Sequence, residues 1–574
     1  MARAPSSPHV LAVARGDAPA DLLLRGGRVL SPSTREWVTT DLAMSEGVVA
    51  GWGPRDAMEV VDLDGAAVTA GLVDAHMHLE STKLWIDEFV RTVLPLGTTA
   101  VAADPHEVAN VFGIPGVAAL IAAARQLPFT FGVCASSCVP ASPFESPGAE
   151  LFAADVATLL DEYAAIGVAE VMNFPGVIAG DPEMLARIAA AGSRRVDGHA
   201  PGLSGAQLDA YLAAGVESDH ECTELDEAEE KRRKGMWIFI RQGSASQNLR
   251  DLIPTVLAHG TDHVALCSDD REPDTLLESG HLNDCVQLAV EAGVSEIDAL
   301  VLATLNPAEY HGFTELGALG PGYQADILCF DTLSGFRPSR VYQRGKLVAR
   351  DGAVVPGAVV DTPPPDFMRR SVHLSSPPPA AAFGEAVVAS ARVRTIGIHE
   401  GSLTTRSLIT DPSDPRGGVA RLAVVERHRL TGRIGLGWVQ GFGLTRGALA
   451  STVGHDAHNC MAVGAATPFG PAAMAAAVAR LAEIGGGQVA VDDQGAVLAE
   501  LPLPIGGLMS DRPAHEVAAG LHRLVEAARS LGTTIHAPFM HMSFLGLSVI
   551  PELRLTDKGL VDVGKFELVP VAVD

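Results

Sequence analysis

His76 and His78 stand two residues apart in the run GLVDAHMHLEST. If that run is a strand, both imidazoles leave the same face and can reach one ion, because successive side chains of a strand alternate. HxH alone is weak evidence, since a single histidine is more often a satisfied polar side chain than a ligand. Its weight changes with Glu170 in AEVMN, His199 in DGHA, His220 in SDHE and Asp269 in CSDD, each in a different apolar run. Four imidazoles and two carboxylates are enough for two divalent ions, and the two oxygens of Glu170 suit it to bridge them. Metal coordination lowers the pKa of water from 15.7 towards about 7, which makes a nucleophile at neutral pH. Asp269 would then be a ligand and the general base together.

Such residues must be carried by elements that make them converge. Eight apolar runs rich in β-branched residues alternate with stretches of helical periodicity: AVTAGLVDAHMH, TTAVAADP, FTFGVCASS, GVAEVMNF, RRVDGHA, GVESDHE, MWIFIRQG and HVALCSDD. The span 69–312 fits the roughly 250 residues of a (β/α)₈ barrel, whose active site lies at the carboxyl ends of its strands. The polar residues fall at those ends, so a TIM-like barrel of the α/β class is expected over 69–312. Residues 1–68 and 313–360 share a texture of short strands and glycine turns, in LLLRGGRVLS and GALGPGYQADILCFD for example, and are expected to pair into a small β-sandwich. The proline clusters of 355–383 read as a linker. Residues 361–574 are expected to form a further α/β or α+β domain of unresolved topology.

Composition narrows the function classes. The 574 residues are 47% hydrophobic and 19% charged, the balance of a folded globular protein, and are enough for two to four domains. A net charge of −27 repels polynucleotide phosphates and favours small neutral or cationic ligands, so no nucleic-acid partner is expected. No apolar stretch approaches the roughly 20 residues of a membrane span, and the N-terminal run Val10–Ala14 is too short for a secretory signal. Seven scattered cysteines argue for reduced thiols in a cytoplasmic setting; Cys134 and Cys138 read as small buried hydrophobes. The charge run 226–234, DEAEEKRRK, reads as a solvated helix face, and the glycines of GWVQGFG and IGGGQ as turns rather than a phosphate cradle.

The run GLVDAHMHLEST resembles the first-strand signature of the amidohydrolase superfamily. DPHEVANVFG, AEVMNFPGVIAGD, DGHAPGLSG, SDHE, GMWIFIRQGSAS and CSDD, in this order, resemble the adenine deaminase family within it. The likeness continues in STVGHDAHNCMAVG, LPLPIGGLMSD and SFLGLSVIPELRLTDKGLVDV, and so covers almost the whole chain. The resemblance implies hydrolysis of adenine to hypoxanthine and ammonia at a binuclear site, with Mn²⁺ or Fe²⁺ the usual ions and Zn²⁺ an alternative. It implies His76, His78, Glu170, His199, His220 and Asp269 as metal ligands, with Glu170 in the place of the carboxylated lysine of other relatives. It also implies a homo-oligomer.

Other positions stay open in the sequence. A proton donor is needed for the purine ring and the departing ammonia. Glu80 and Glu221 are candidates, each equally a partner that fixes a histidine tautomer. Asp104 and Glu107 of DPHE read as a third ion site, as a proton relay or, for Asp104 before Pro105, as a helix cap. His455, Asp456 and His458 form a second polar cluster, which the resemblance marks as a substrate-binding loop; this loop or GGLMSD would close over the purine. Gln242 and Gln287 depart from the family pattern, where glutamate and arginine are expected, and leave room for altered substrate preference. Three readings remain beside one another: adenine as substrate, another aminopurine or a cyclic amide on the same barrel, and a barrel that has become a binding partner. The last would predict lost ligands. The sequence lacks the PCxxC of the other zinc nucleobase deaminases.

Overall fold

The computed structural model describes residues 5–369, 371–374, 376–384, 392–398, 404–414 and 417–573; Met1–Ala4 and two positions of the expected linker, Arg370 and Ser375, lie outside the described residues. The chain opens with β1 (Ala20–Ser31), β2 (Glu36–Ser45), β3 (Val48–Trp52), β4 (Ala57–Asp62) and β5 (Ala67–Ala70). It then enters β6 (Leu72–Met77), β7 (Thr98–Ala103), β8 (Thr130–Val133), β9 (Gly167–Val171), β10 (Arg195–Gly198), β11 (Ser218–Asp219), β12 (Trp237–Arg241) and β13 (Val264–Cys267), separated by helices. These eight strands fall within the eight runs read from the sequence.

They close into a ring. Parallel pairing joins β6 to β7 to β8, β9 to β10, and β11 to β12 to β13. A parallel bridge between Ala135 and Val168 links β8 to β9, the Glu217 amide donates to the Val196 carbonyl between β10 and β11, and a Met77–Asp269 bridge closes β13 onto β6. Val, Ile, Ala and Leu dominate these strands because both faces are covered, and most of their residues are fully buried. Asp74 is the polar exception in β6. Its carboxylate accepts from the Ser268 amide (3.1 Å) and hydroxyl (2.6 Å) and fixes the register of the ring where it closes.

After the barrel come β14 (Ile327–Phe330), β15 (Arg340–Gln343), β16 (Lys346–Arg350) and β17 (Ala353–Val354). β14 pairs antiparallel with β5, so the segments on either side of the barrel share one sheet. Among the described residues that sheet has nine strands, joined through β1: residues 20–25 pair with β4, residues 28–29 with β5, and the irregularity between Leu24 and Gly27 marks the change of partner. Its core gathers Leu22, Val29, Leu42, Val68 and Ile327.

The proline-rich stretch is not a free linker. The indole N–H of Trp85 donates to the Thr362 carbonyl, and Arg91 donates to Asp361 (2.6 Å), so the stretch lies against the barrel.

The remaining described residues form an α+β unit. Its eight-stranded sheet comprises β18 (Val393–Gly397), β19 (Arg406–Thr410), β20 (Val419–Val425), β21 (Ile434–Gln440), β22 (Ala448–Ser451), β23 (Cys460–Ala465), β24 (Gly487–Val491) and β25 (Val497–Pro502), followed by a hairpin sheet of β26 (Leu553–Thr556), β27 (Gly559–Asp562) and β28 (Glu567–Val569). The helix Gly470–Glu483 lays Ala473, Met474, Ala477, Val478 and Leu481 on this sheet, the three-and-four spacing of one helical face. The larger core is continuous: Leu84, Trp85 and Phe89 of the barrel belong to the same buried cluster as Leu503, Ile505 and Met509.

Two readings of the sequence need correction here. The charge run 226–234 lies on the helix Leu225–Arg233, but Lys231 on it is fully buried. Its ammonium donates to the Ala200 carbonyl (2.7 Å), Asp219 Oδ2 (2.9 Å) and Glu227 Oε1 (2.6 Å) and so ties the helix to the ends of β10 and β11. Asp104 does not cap the helix His106–Phe112, which has no side-chain cap bond at its start, because both Asp104 oxygens are engaged elsewhere.

Candidate active site and metal centre

His76 lies in β6 and His78 just past it; Glu170 is in β9; His199 follows β10, His220 follows β11 and Asp269 follows β13 by two residues. All six side chains are buried and meet at the carboxyl end of the ring. His76 Nε2 and His78 Nε2 are 3.2 Å apart. Asp269 Oδ1 lies 3.3 Å from His78 Nε2 and 3.7 Å from His76 Nε2. Glu170 sits in the middle: Oε1 is 3.4 Å from His78 Nε2, while Oε2 is 2.7 Å from His199 Nδ1 and 3.3 Å from His220 Nε2.

The chemistry of these donors can be tested against a metal. His78 Nδ1 donates to the Asp104 carbonyl (3.0 Å), which turns its Nε2 towards a second imidazole and two carboxylate oxygens, a set of donors that suits a cation. Bonds of about 2.1 Å give donor–donor edges of roughly 3.0–3.4 Å in octahedral or tetrahedral coordination, the spacing of His78 from His76, Glu170 and Asp269 and of His220 from Glu170. The orphaned His199 Nε2 and His220 Nδ1 are the opposite nitrogens of the two rings that address Glu170. The residues fit divalent ions, with Glu170 placed between two donor groups.

Burial acts to raise the Glu170 carboxyl, and the surrounding His199 and His220 hold it well below the usual carboxylate range. Asp269 is likewise opposed by burial and held low by the Arg241 guanidinium, which donates to its Oδ2 at 2.7 Å. Arg241, the last residue of β12, also donates to Glu221 Oε1. It went unread in the sequence, although the strand-end rule that singled out the histidines points to it equally.

Around this centre lies a cleft lined by His106, Met172, Glu221, Asp270, His455, Asp456, Phe544, Leu547 and Ile550 as well as the ligand candidates other than His76. Its apolar wall is formed by Met172, Phe544, Leu547 and Ile550, and His455 stacks on Phe544 with centroids 4.4 Å apart. Of the two proton-donor candidates, Glu221 lines the cleft, and Glu80 lies behind it. The Glu80 carboxyl accepts from the Val108 amide (2.9 Å) and is pushed up to about 8 by burial and by the neighbouring Glu107 charge. Asp270 accepts from the Ser81 hydroxyl and is raised to about 6 by burial and Asp269.

Asp104 orients two rings: its carbonyl accepts from His78 and its Oδ2 from His106 Nδ1 (3.0 Å), while Oδ1 accepts from Ser136 (2.8 Å). Glu107 Oε1 accepts from Ser81 (3.2 Å). His106, within DPHE and unread in the sequence, is buried 3.4 Å from Glu170 Oε1. His455 and Asp456 reach the cleft. His458 does not: it is buried behind the wall, its Nδ1 accepting from the Gly454 amide (3.2 Å). The GGLMSD segment also stays outside the cleft, docked on the barrel through the Leu84–Ser510 bridge. Neither Gln242 nor Gln287 lines the cleft; Gln287 is occupied by Glu291 (3.1 Å) and the Gly335 amide (3.1 Å). The seven cysteines are all free and buried.

A closed parallel barrel with clustered histidines and carboxylates at its carboxyl end defines a metal-dependent hydrolase of the amidohydrolase class, and the amidohydrolase family matches residues 67–355. The adenine deaminase C-terminal domain matches residues 398–567. The chain is 45% identical to an adenine deaminase of Desulfatibacillum aliphaticivorans, over 98% of this chain and 99% of that protein. It is 41% identical to an adenine deaminase of Methanothrix thermoacetophila and 42% identical to adenine deaminase 2 of Carboxydothermus hydrogenoformans, with 98% of this chain covered in both and 99% and 98% of the respective relatives. The chain belongs to the adenine deaminase family. The amidohydrolase family implies divalent metal ions.

Proposed function

We propose that the protein hydrolyses adenine to hypoxanthine and ammonia at a site of two divalent ions, Mn²⁺ or Fe²⁺ with Zn²⁺ as an alternative, held by His76, His78, Glu170, His199, His220 and Asp269. The observation that supports this reading is the meeting of these six donors from separate strands within the adenine deaminase family's barrel. When bound, the ions supply Lewis acidity and bring water's pKa down towards about 7.

The chain's own residues divide the remaining work. Asp269 takes the proton of the attacking water; Arg241 keeps it ionised and fixes its oxygens. Addition at C6 of the purine breaks the ring's aromaticity and calls for a proton on a ring nitrogen, and the amino group must leave as ammonia. Glu221 is the donor in this reading, because it faces the cleft beside Asp269 on the same Arg241 nitrogen: it takes up the proton that Asp269 receives from water and passes it to the purine. Glu80, behind the cleft, positions the start of the helix His106–Phe112. Met172, Phe544, Leu547 and Ile550 pack on the purine plane and exclude water. The site takes a neutral base, in keeping with the charge of −27, and the seven reduced cysteines accord with a cytoplasmic role in adenine salvage or catabolism.

The test is to load purified protein with Mn²⁺, measure bound metal, and follow adenine loss together with ammonia. Matched loss and release supports the reading. A metal-loaded, folded sample that leaves adenine intact but deaminates another aminopurine, or opens a cyclic amide, moves the substrate assignment to that class.

A further inference from the structure

Beside the proposed pair of ions lies a second group of buried donors that the deamination reading does not use. His106 and Glu107 begin the helix after β7; His455 and Asp456 sit in the loop between β22 and β23 of the C-terminal unit. His106 Nε2 is 3.6 Å from Asp456 Oδ1, His455 Nδ1 is 3.5 Å from the same oxygen, and Glu107 Oε1 is 4.0 Å from His455 Nδ1. All four residues are at least nine-tenths buried. His106 Nε2, Glu107 Oε2 and both oxygens of Asp456 have no hydrogen-bond partner.

These spacings are too long for hydrogen bonds, which end near 3.2 Å. They are also too short for a bridging water, which holds two acceptors roughly 4.5 Å apart at about 2.8 Å each. A cation with bonds near 2.1 Å gives edges of about 3.4–3.6 Å in tetrahedral or trigonal coordination; His106 and His455 stand at that spacing from Asp456 Oδ1, and Glu107 Oε1, 4.0 Å from His455, closes in when the ion binds. His106 Nδ1 donates to Asp104 Oδ2, which turns its Nε2 towards the Asp456 carboxylate. His458 is excluded: its Nδ1 accepts from the Gly454 amide (3.2 Å), so its other ring nitrogen bears the proton and offers no lone pair. The two carboxylates match the charge of one divalent ion.

We propose that His106, Glu107, His455 and Asp456 form a third divalent-cation site, for an ion of the Mn²⁺, Fe²⁺ or Zn²⁺ type, which staples the C-terminal unit to the barrel at the wall of the cleft. Asp104 serves it by orienting His106. The ion neutralises the acidic pocket that Glu107 and Asp456 create and holds His455 and Asp456 at the cleft wall. The site stands on its own donors, whatever the substrate.

The experiment is metal counting on chelated protein refilled with Mn²⁺ alone, with Glu107→Gln, Asp456→Asn and Glu170→Gln alongside. Three equivalents in the parent chain, falling to two in both Glu107→Gln and Asp456→Asn, is the expected result. Two equivalents in the parent, or a third that both variants keep, overturns the site. Glu170→Gln separates the two claims: if it loses metal while the other two variants do not, the pair stands and the third site falls. Should the variants fail to fold, crystals of the parent chain grown with Mn²⁺ decide through anomalous scattering. A peak among His106, Glu107, His455 and Asp456 supports the proposal, and peaks confined to the Glu170 cluster refute it.

Discussion

Replacing Lys231 by Met removes one buried ammonium and leaves its three acceptors behind. Asp219 keeps the Ala200 amide (2.8 Å) and the Cys222 thiol (3.1 Å) but loses its only buried cationic partner among the described residues, and the Ala200 carbonyl loses its donor. Stranding a buried charge costs about 3–5 kcal/mol, and an orphaned carbonyl about 1–3 kcal/mol. The two overlap, since both follow from one deletion, so a net loss of about 4 kcal/mol is expected. At roughly 2–4 °C per kcal/mol for a unit of this size, the barrel's thermal transition should drop by roughly 10 °C. The consequence reaches the site, because Asp219 precedes His220 and Ala200 follows His199, and metal retention should weaken as well. Differential scanning calorimetry and bound-metal analysis read both effects, and the double variant Lys231→Met/Asp219→Asn should recover part of the loss. A shift of the size of a surface substitution, within about 0.5 kcal/mol, would refute the buried-anchor argument.

Further expectations bear on the centre and on pH. Glu170→Gln should lower bound metal at fixed free Mn²⁺, and an undiminished metal content would remove Glu170 as the bridge. Asp269→Asn should reduce kcat for adenine on the order of 10²–10⁴-fold with little change in KM, as expected when the proton acceptor is lost; an effect confined to KM contradicts that role. Arg241→Met should cost on the order of 10–100-fold in activity by freeing both Asp269 and Glu221, and unchanged kcat/KM across pH would show that it positions neither. Asp326 in the small sheet is raised to about 6 by burial, so between about pH 4 and 6 the folded chain holds a proton that the unfolded chain has released. Its contribution is therefore full below about pH 4 and is lost as pH rises through 6, at up to roughly 1.4 kcal/mol per pH unit. Asp326→Asn should flatten the pH dependence of urea unfolding in that window, and an unaltered slope would count against the shift.

The barrel was legible because parallel strands covered on both faces must be written as continuous β-branched runs, and polar residues at their ends stand out against that background. The same signal carried all six proposed ligands to one place. It does not mark Arg241, a long cation at the end of MWIFIRQG, because a guanidinium is no metal ligand. It passed over His106 because the neighbouring Asp104 and Glu107 drew the attention in DPHE. The apolar wall of Phe544, Leu547 and Ile550 had no comparable signal. These residues are far along the chain from the strand ends they face, and nothing local in an apolar segment says which surface it will cover. Lys231 shows the limit of reading charge runs by composition: on a helix of nine residues with four acidic residues before it, burial of one lysine depends on an aspartate on the preceding strand.

The most direct test of the central claim is to titrate chelated protein with Mn²⁺ while measuring bound ions and adenine turnover in the same sample. Activity should be absent in the metal-free chain and appear as the positions around Glu170 fill, with ammonia released in step with adenine consumed. Full turnover in protein stripped of metal would contradict the account, because the six converging side chains would then have no ion to hold.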